Sequence, residues 1–273
     1  MKKWRKDGGD ILWFVTEKEC SLALTLDCGQ SFRFAPVGEN TFEGIAHGRI
    51  LKMRQEPEAI RFFGMDEAEF SSVFAPYFDI DTDYAELKAA FSADETLSKA
   101  IACTEGIRVL KQDGFETLIS FLISQNNNIP RIKKIIRALC DAYGENDGFP
   151  TAEALADAGV DNLFALRTGF RAKYIHDAAC RVASGEINLD EILSCDDYNV
   201  CDAKLRTIRG VGPKVSACVL LYGFGKTEAF PVDVWIKKSL ERHFPDGFDV
   251  KSLGKYAGIA QQYLFYYERY ING

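Results

Sequence analysis

The sequence has no run of about 18 apolar residues free of charge, so a membrane-spanning helix is excluded. It has no C-x-x-C. The eight cysteines, Cys20, Cys28, Cys103, Cys140, Cys180, Cys195, Cys201 and Cys218, are scattered and none pairs with a histidine at ligand spacing. A zinc site or a Cys-ligated iron–sulfur cluster is therefore not expected, and neither is any other metal or cofactor. Most of the cysteines read as buried thiols of a reducing cytoplasm. The basic stretch Met1–Lys6 leads only into Ile11–Val15, too short for a signal-peptide core. There is no fixed-period repeat, no low-complexity tract and no long linker. A basic surplus is missing too: 33 Lys and Arg face 40 Asp and Glu, a net charge of -7. Taken alone, that balance argues against a nucleic-acid partner.

What is present suffices for a buried core in one large or two ordinary domains: 273 residues, 47% of them hydrophobic. The first sixty-odd residues read as strands. Ser21–Leu26 puts Leu22, Leu24 and Leu26 on one face, Ser31–Phe34 alternates likewise, and Thr41–Met53 is rich in β-formers. From Asp66 onward apolar residues recur every three or four positions. Helices are expected over Asp66–Phe78, Tyr84–Phe91, Asp94–Cys103, Asp113–Ser124, Arg131–Tyr143, Ala152–Ala158, Asp161–Leu166, Ala172–Ser184, Asn199–Ile208, Pro213–Tyr222, Val234–His243 and Leu253–Ile271. The fold class is α+β: a β-rich N-terminal domain over residues 1–99 and a helical domain over 100–273.

Three stretches carry chemistry. In Leu205–Cys218 a helix ends, Gly210-Val211-Gly212 makes a hairpin, and Pro213 opens the next helix. Backbone N–H groups at such a turn can hold a phosphate, although a plain helix–helix turn gives the same pattern. Lys214 lies in the first turn, where the positive end of the helix dipole disfavours a cation; in a dry site that lowers its pKa and yields the nucleophilic amine. A solvated lysine is the alternative. Asp233 precedes an amphipathic helix, so it is an N-cap and also a carboxylate able to stabilise positive charge on a reacting sugar. Finally, Gln125-Asn126-Asn127-Asn128 follows an apolar helix. It reads either as a helix-ending turn or as a polar wedge for stacked bases, followed by basic residues for phosphates.

The Gly210-Val211-Gly212 hairpin with Lys214, Pro231-Val232-Asp233, the Asn126–Asn128 triplet and Gly29-Gln30-Ser31-Phe32-Arg33-Phe34 stand in the order found in one family. Together they resemble the eukaryotic-type 8-oxoguanine DNA glycosylases of the helix–hairpin–helix superfamily, from about Leu22 to Phe265. The resemblance implies an antiparallel TBP-like sheet domain followed by a helical glycosylase domain. It implies a monomeric enzyme of double-stranded DNA containing oxidised guanine, acting in the nucleoid-bearing cytoplasm of a prokaryote or in a nucleus. The damaged nucleotide is flipped into a pocket. Lys214 would attack C1′ and expel the base, and β-elimination from the Schiff base would then cut the strand, with Asp233 supporting the step. The carbonyl of Gly29 would accept the N7 hydrogen that 8-oxoguanine has and guanine lacks. Gln261 would read the Watson–Crick edge, with Phe265 and Cys218 on either face of the base. Asn126 would fill the gap in the duplex, Arg131 and Arg171 would contact the orphaned cytosine, and Phe170 would wedge. Gly210 and Gly212 would meet phosphate.

Three positions depart from the family pattern: Arg209 for proline in the hairpin, Phe170 for tyrosine, and Trp235 for histidine. Lys214 argues against an alkylpurine glycosylase, which uses water. Retention of Lys214 and Asp233 argues against a non-catalytic binding module. The charge balance then becomes local. Residues 1–99 hold 12 basic and 18 acidic groups, so most of the surplus acid lies there, while residues 100–273 hold 21 and 22. Affinity for undamaged duplex should be weak and salt-sensitive.

Overall fold

The computed structural model describes residues 3–146, 148–271 and 273; Met1 and Lys2 of the basic stretch lie outside the described residues. The elements run in chain order: β1 (Trp4–Asp7), β2 (Asp10–Phe14), α1 (Leu22–Asp27), β3 (Phe34–Gly38), β4 (Thr41–Ala46), β5 (Arg49–Glu56), β6 (Ala59–Phe62), α2 (Glu67–Glu69), α3 (Ala75–Tyr77), α4 (Tyr84–Phe91), α5 (Glu95–Cys103), α6 (Gly114–Ser124), α7 (Ile129–Tyr143), α8 (Ala152–Leu163), α9 (Ala172–Ala183), α10 (Leu189–Ser194), α11 (Tyr198–Leu205), α12 (Pro213–Phe224), α13 (Val234–His243) and α14 (Ala257–Tyr266). The chain forms two compact units. One comprises residues 1–44, 51–111 and 230–273, the other residues 45–50 and 112–229.

The first unit is built on a sheet of order β1-β2-β6-β5-β4-β3. Alternation works as a strand requires: in β5, Leu51 and Met53 are buried while Lys52 and Arg54 point out. Trp13 pairs with Ile60, and Phe62 lies opposite both Ile11 and Met53. This face meets an aromatic cluster from the irregular helical segment after β6. Phe62 contacts Phe70 at 5.0 Å and Phe78 at 5.4 Å, edge to face. Pro36 sits in β3, an edge strand, where a missing N–H costs no ladder bond. Further along, α14 packs on α5 and α13.

Ser21–Leu26 is a helix, not the strand that its alternating leucines suggest. Ser21 caps α1, and the buried residues are Leu22, Thr25 and Leu26, a three- and four-residue spacing. The deciding contact is distant in sequence. The Thr25 hydroxyl donates to the Gly106 carbonyl at 3.1 Å and accepts the Arg108 N–H at 3.2 Å, drawing one turn of helix onto that segment. Ser31–Phe34 is likewise a bend, and only Phe34 enters a strand. The helix α10 was hidden because six residues are too few to show a period.

The second unit is helical. α6 packs on α7, α9 and α12, α8 packs on α9, and α11 on α12. α6 and α12 are buried almost all round. That explains their continuous apolar sequences: each is a central helix with no solvent face.

Candidate active site

The hairpin between α11 and α12 is held by α9. Asp177 accepts the Arg209 N–H at 2.9 Å, and Arg181 donates to the Thr207 carbonyl at 2.8 Å and to its hydroxyl at 3.0 Å. Gly210 has φ +86°, and a Cβ there would lie 2.5 Å from the Tyr174 ring, so glycine is required twice over. Gly212 faces open space, with nothing within 4 Å of a Cβ, and it caps α12 without a side chain. The first N–H groups of α12 are thus presented outward, as an anion site needs. Tyr174, Asp177 and Arg181 carried no sequence signal, since all lie on what reads as an ordinary amphipathic helix.

Lys214 is the second residue of α12. Its ammonium rests 5.0 Å from the centre of the Phe121 ring, which itself stacks on Tyr222 at 5.4 Å. No carboxylate pairs with it among the described residues. The side chain is half-exposed, so the free protein does not supply the dry surroundings considered above. One turn further along α12, Cys218 is buried at 3% exposure.

The four adjacent amides divide. Gln125 donates to the Leu122 carbonyl and Asn127 to the Ile123 carbonyl, closing α6, while Asn128 caps α7 by accepting the Arg131 N–H at 3.0 Å. Asn126 alone is exposed in the left-handed conformation, φ 47°, with no partner for its side chain among the described residues. The helix-ending reading thus holds for three of them and leaves Asn126 as the candidate wedge. Phe170 is 52% exposed, meets Tyr174 edge-on at 5.8 Å and lies 4.4 Å below the Arg171 guanidinium.

Arg171 is 2% exposed and spreads its donors over the carbonyls of Gln125, Asn126 and Thr168. Burial, then repulsion from Arg131, holds its pKa below the ordinary arginine value, and it stays charged. Arg131 is exposed, and among the described residues its one side-chain bond, 3.4 Å long, reaches the carbonyl of Arg167. Arg167 is itself exposed and left-handed at φ 63°. No motif or spacing singles out Arg167. Among nearby basic side chains, Arg137 pairs with Asp141 and Arg206 with Asp202, whereas the guanidinium groups of Arg131, Arg167 and Arg209 pair with no carboxylate among the described residues.

In the first unit, Asp233 caps α13, its Oδ1 accepting the N–H groups of Trp235 at 3.0 Å and Ile236 at 2.9 Å. Trp235 carries the Lys238 ammonium 4.5 Å above its ring. Gly29 has φ +85°, and among the described residues nothing donates to its carbonyl. The Gly29 turn is tied to α14, because Gln262 donates to the Cys28 carbonyl at 3.2 Å. Next to Gln262, Gln261 is 3% exposed and its carbonyl oxygen is buried without a donor among the described residues. A buried acceptor left open is costly unless a ligand completes it. Phe265, one turn on, is half-buried beneath the Arg269 guanidinium. The first unit therefore ties the Gly29 turn to α14, the helix that carries Gln261 and Phe265. Lys214, Cys218, Asn126, Arg131, Phe170 and Arg171 lie in the second.

Comparison with known proteins gives a consistent result. Residues 13–118 match the 8-oxoguanine DNA glycosylase N-terminal domain, and residues 119–249 match the HhH-GPD superfamily of base excision DNA repair proteins. The N-glycosylase/DNA lyase OGG1 of Arabidopsis thaliana is 30% identical over 94% of this chain and 80% of its own length. A solved structure of MBOgg1 in complex with a low affinity DNA ligand is 36% identical and covers all of both chains at a TM-score of 0.94. The Clostridium acetobutylicum 8-oxoguanine glycosylase/lyase, solved with double-stranded DNA containing cytosine opposite 8-oxoguanine, is 36% identical. It covers 99% of this chain and 98% of its own, at a TM-score of 0.91.

Proposed function

Because the chain belongs to the 8-oxoguanine DNA glycosylases of the HhH-GPD superfamily, we infer that Lys214 and Asp233, each at the start of a helix, carry its reaction. The protein is a bifunctional N-glycosylase and DNA lyase that removes 8-oxoguanine and cuts the strand at the abasic site. The observation that carries the residue assignment is Lys214 itself: an amine with no carboxylate partner among the described residues, two residues past a glycine hairpin open to a phosphate backbone.

In this reading the hairpin and the cations around Arg131 hold the duplex, and Asn126 fills the space that the flipped nucleotide leaves. The Gly29 carbonyl accepts the N7–H of 8-oxoguanine; guanine would present a lone pair there instead. The open Gln261 oxygen accepts from the Watson–Crick edge, and Phe265 and Cys218 stack on the base. DNA displaces water from around Lys214, which gives up its proton and attacks C1′ as the C1′–N9 bond breaks. The bonding pair leaves with the base, which takes up a proton. The carboxylate of Asp233 stabilises the positive charge on the sugar. Ring opening gives a Schiff base, and loss of a 2′ proton expels the 3′ phosphate.

Cytosine is the preferred base opposite the lesion, supported by the exposed guanidinium of Arg131 and by the cytosine duplex bound to the Clostridium relative. The protein acts as a monomer, wherever its cell keeps the genome; sedimentation velocity checks the former. The test of function is excision from a duplex with 8-oxoguanine opposite each of the four bases, with borohydride present. A covalent adduct that vanishes in Lys214→Gln, and rates highest opposite cytosine, are expected. Cleavage of alkylated DNA with no adduct would overturn the assignment.

A further inference from the structure

The carbonyls held by Arg171 bracket a single residue. The Gln125 carbonyl belongs to the peptide before Asn126, and the Asn126 carbonyl to the peptide after it. The orientation of one carbonyl relative to the other is set by φ and ψ of Asn126. A planar guanidinium that bonds both therefore fixes those two torsions. Arg171 does so: Nε donates to the Gln125 carbonyl at 2.8 Å, and Nη2 donates to both the Gln125 and the Asn126 carbonyls, the latter at 2.8 Å. Nη1 donates to the Thr168 carbonyl at 3.2 Å, which anchors the guanidinium to its own turn. An arginine has five N–H groups, so nearly all its donors are engaged. The torsions it fixes are unusual ones. Asn126 is left-handed at φ 47°, a conformation that an unconstrained L-residue adopts at a cost. Nothing else among the described residues holds the Asn126 side chain, which stands exposed.

We propose that Arg171 is a positioning residue for the wedge: it holds Asn126 in the left-handed turn that aims the side chain into the duplex, a role separate from reading the opposite base. This rests on the function above, in which Asn126 fills the vacated space. Arg131 suits the reading role because its guanidinium is exposed and makes a single long bond among the described residues, to the Arg167 carbonyl. Arg171 is 2% exposed and held by the carbonyls of Gln125, Asn126 and Thr168.

The two roles separate on a duplex that has no opposite base. Single-turnover excision by the full chain is measured with 8-oxoguanine opposite cytosine and opposite a tetrahydrofuran abasic analogue. The proteins are wild type, Arg131→Ala, Arg171→Lys, Asn126→Ala and the Asn126→Ala/Arg171→Lys pair. Arg131→Ala should shrink the rate difference between the duplexes. Arg171→Lys should slow the tetrahydrofuran duplex as well as the cytosine one, tenfold or more, and the tetrahydrofuran duplex by less than threefold once Asn126 is already alanine. The set is repeated with Arg171→Gln at a temperature where every variant keeps the wild-type circular dichroism, which separates a loss of fold from a loss of aim. A loss in Arg171→Lys confined to the cytosine duplex would overturn the proposal, as would an equal loss on the tetrahydrofuran duplex in the Asn126→Ala background. Wild type inactive on both duplexes would overturn the function itself, and the proposal with it.

Discussion

Asp233 has two duties on different oxygens. Its Oδ1 caps α13 through the N–H groups of Trp235 and Ile236, at 3.0 and 2.9 Å. Its Oδ2 has no partner among the described residues and is the atom free to face a cationic sugar. An asparagine retains the capping oxygen and removes the charge, and asparagine caps about as well as aspartate, so Asp233→Asn should change stability by only about 0.3 kcal/mol. Alanine removes both. Loss of the cap costs about 1 kcal/mol, or about 2–4 °C in melting temperature for a chain of this size. For the chemistry, a unit charge at about 4 Å in surroundings of effective dielectric about 20 is worth roughly 4 kcal/mol. That corresponds to nearly 10³ in rate if it is felt in the transition state alone. Asp233→Asn should therefore melt within about 1 °C of wild type and excise about 10²- to 10³-fold more slowly. Asp233→Ala should be as slow and melt lower. Melting followed by circular dichroism, with single-turnover excision on an 8-oxoguanine:cytosine duplex, measures both. An asparagine variant that melts as low as the alanine variant, or that excises at the wild-type rate, would refute the division of labour.

Gly210→Ala should weaken duplex binding about tenfold with the secondary structure intact, because φ +86° and a Cβ 2.5 Å from Tyr174 together cost about 2 kcal/mol at the hairpin; unchanged binding by fluorescence anisotropy would show that the hairpin does not carry the DNA. Cys20 and Cys28 are fully buried and burial pushes both thiols up to about 12. Both should resist iodoacetamide in the folded protein while exposed Cys103 reacts, which peptide mass mapping reads directly. Glu56 bonds Arg54 at 2.9 Å and Arg61 at 2.8 Å, which holds its carboxyl below the ordinary carboxylate value. Its contribution is then present above that ordinary value and lost as pH falls through the depressed one. The stability gap between wild type and Glu56→Gln, measured by urea unfolding at pH 7 and again near pH 3, should shrink in acid; a gap independent of pH would contradict it.

The helical domain was legible because its signals are local. Asp233 followed by a periodic apolar face predicts a helix over Val234–His243, and those are the bounds of α13. Pro213 after a glycine likewise marks the start of α12. Ser21–Leu26 was not legible. Its leucines fit a period of two or of four, and the Thr25 hydroxyl that decides between them answers to Gly106 and Arg108, some eighty residues away. The candidate site divides in the same way. Lys214, Asp233 and the hairpin glycines announce themselves by their positions at helix ends. Four adjacent amides do not disclose which one is free, because that depends on the backbone angle at residue 126. Nor does the sequence show that Arg171 faces inward. Arg131 and Arg171 look alike as letters; only packing commits one to the Gln125 and Asn126 carbonyls and leaves the other in solvent.

The most direct measurement is the position of the covalent bond. The protein is incubated with an 8-oxoguanine:cytosine duplex, reduced with borohydride, digested with nuclease and protease, and the modified peptide is sequenced by mass spectrometry. The expected result is a reduced sugar remnant on Nζ of Lys214 and on no other amine. An adduct on another lysine, or base excision with no adduct at all, would contradict Lys214 as the nucleophile.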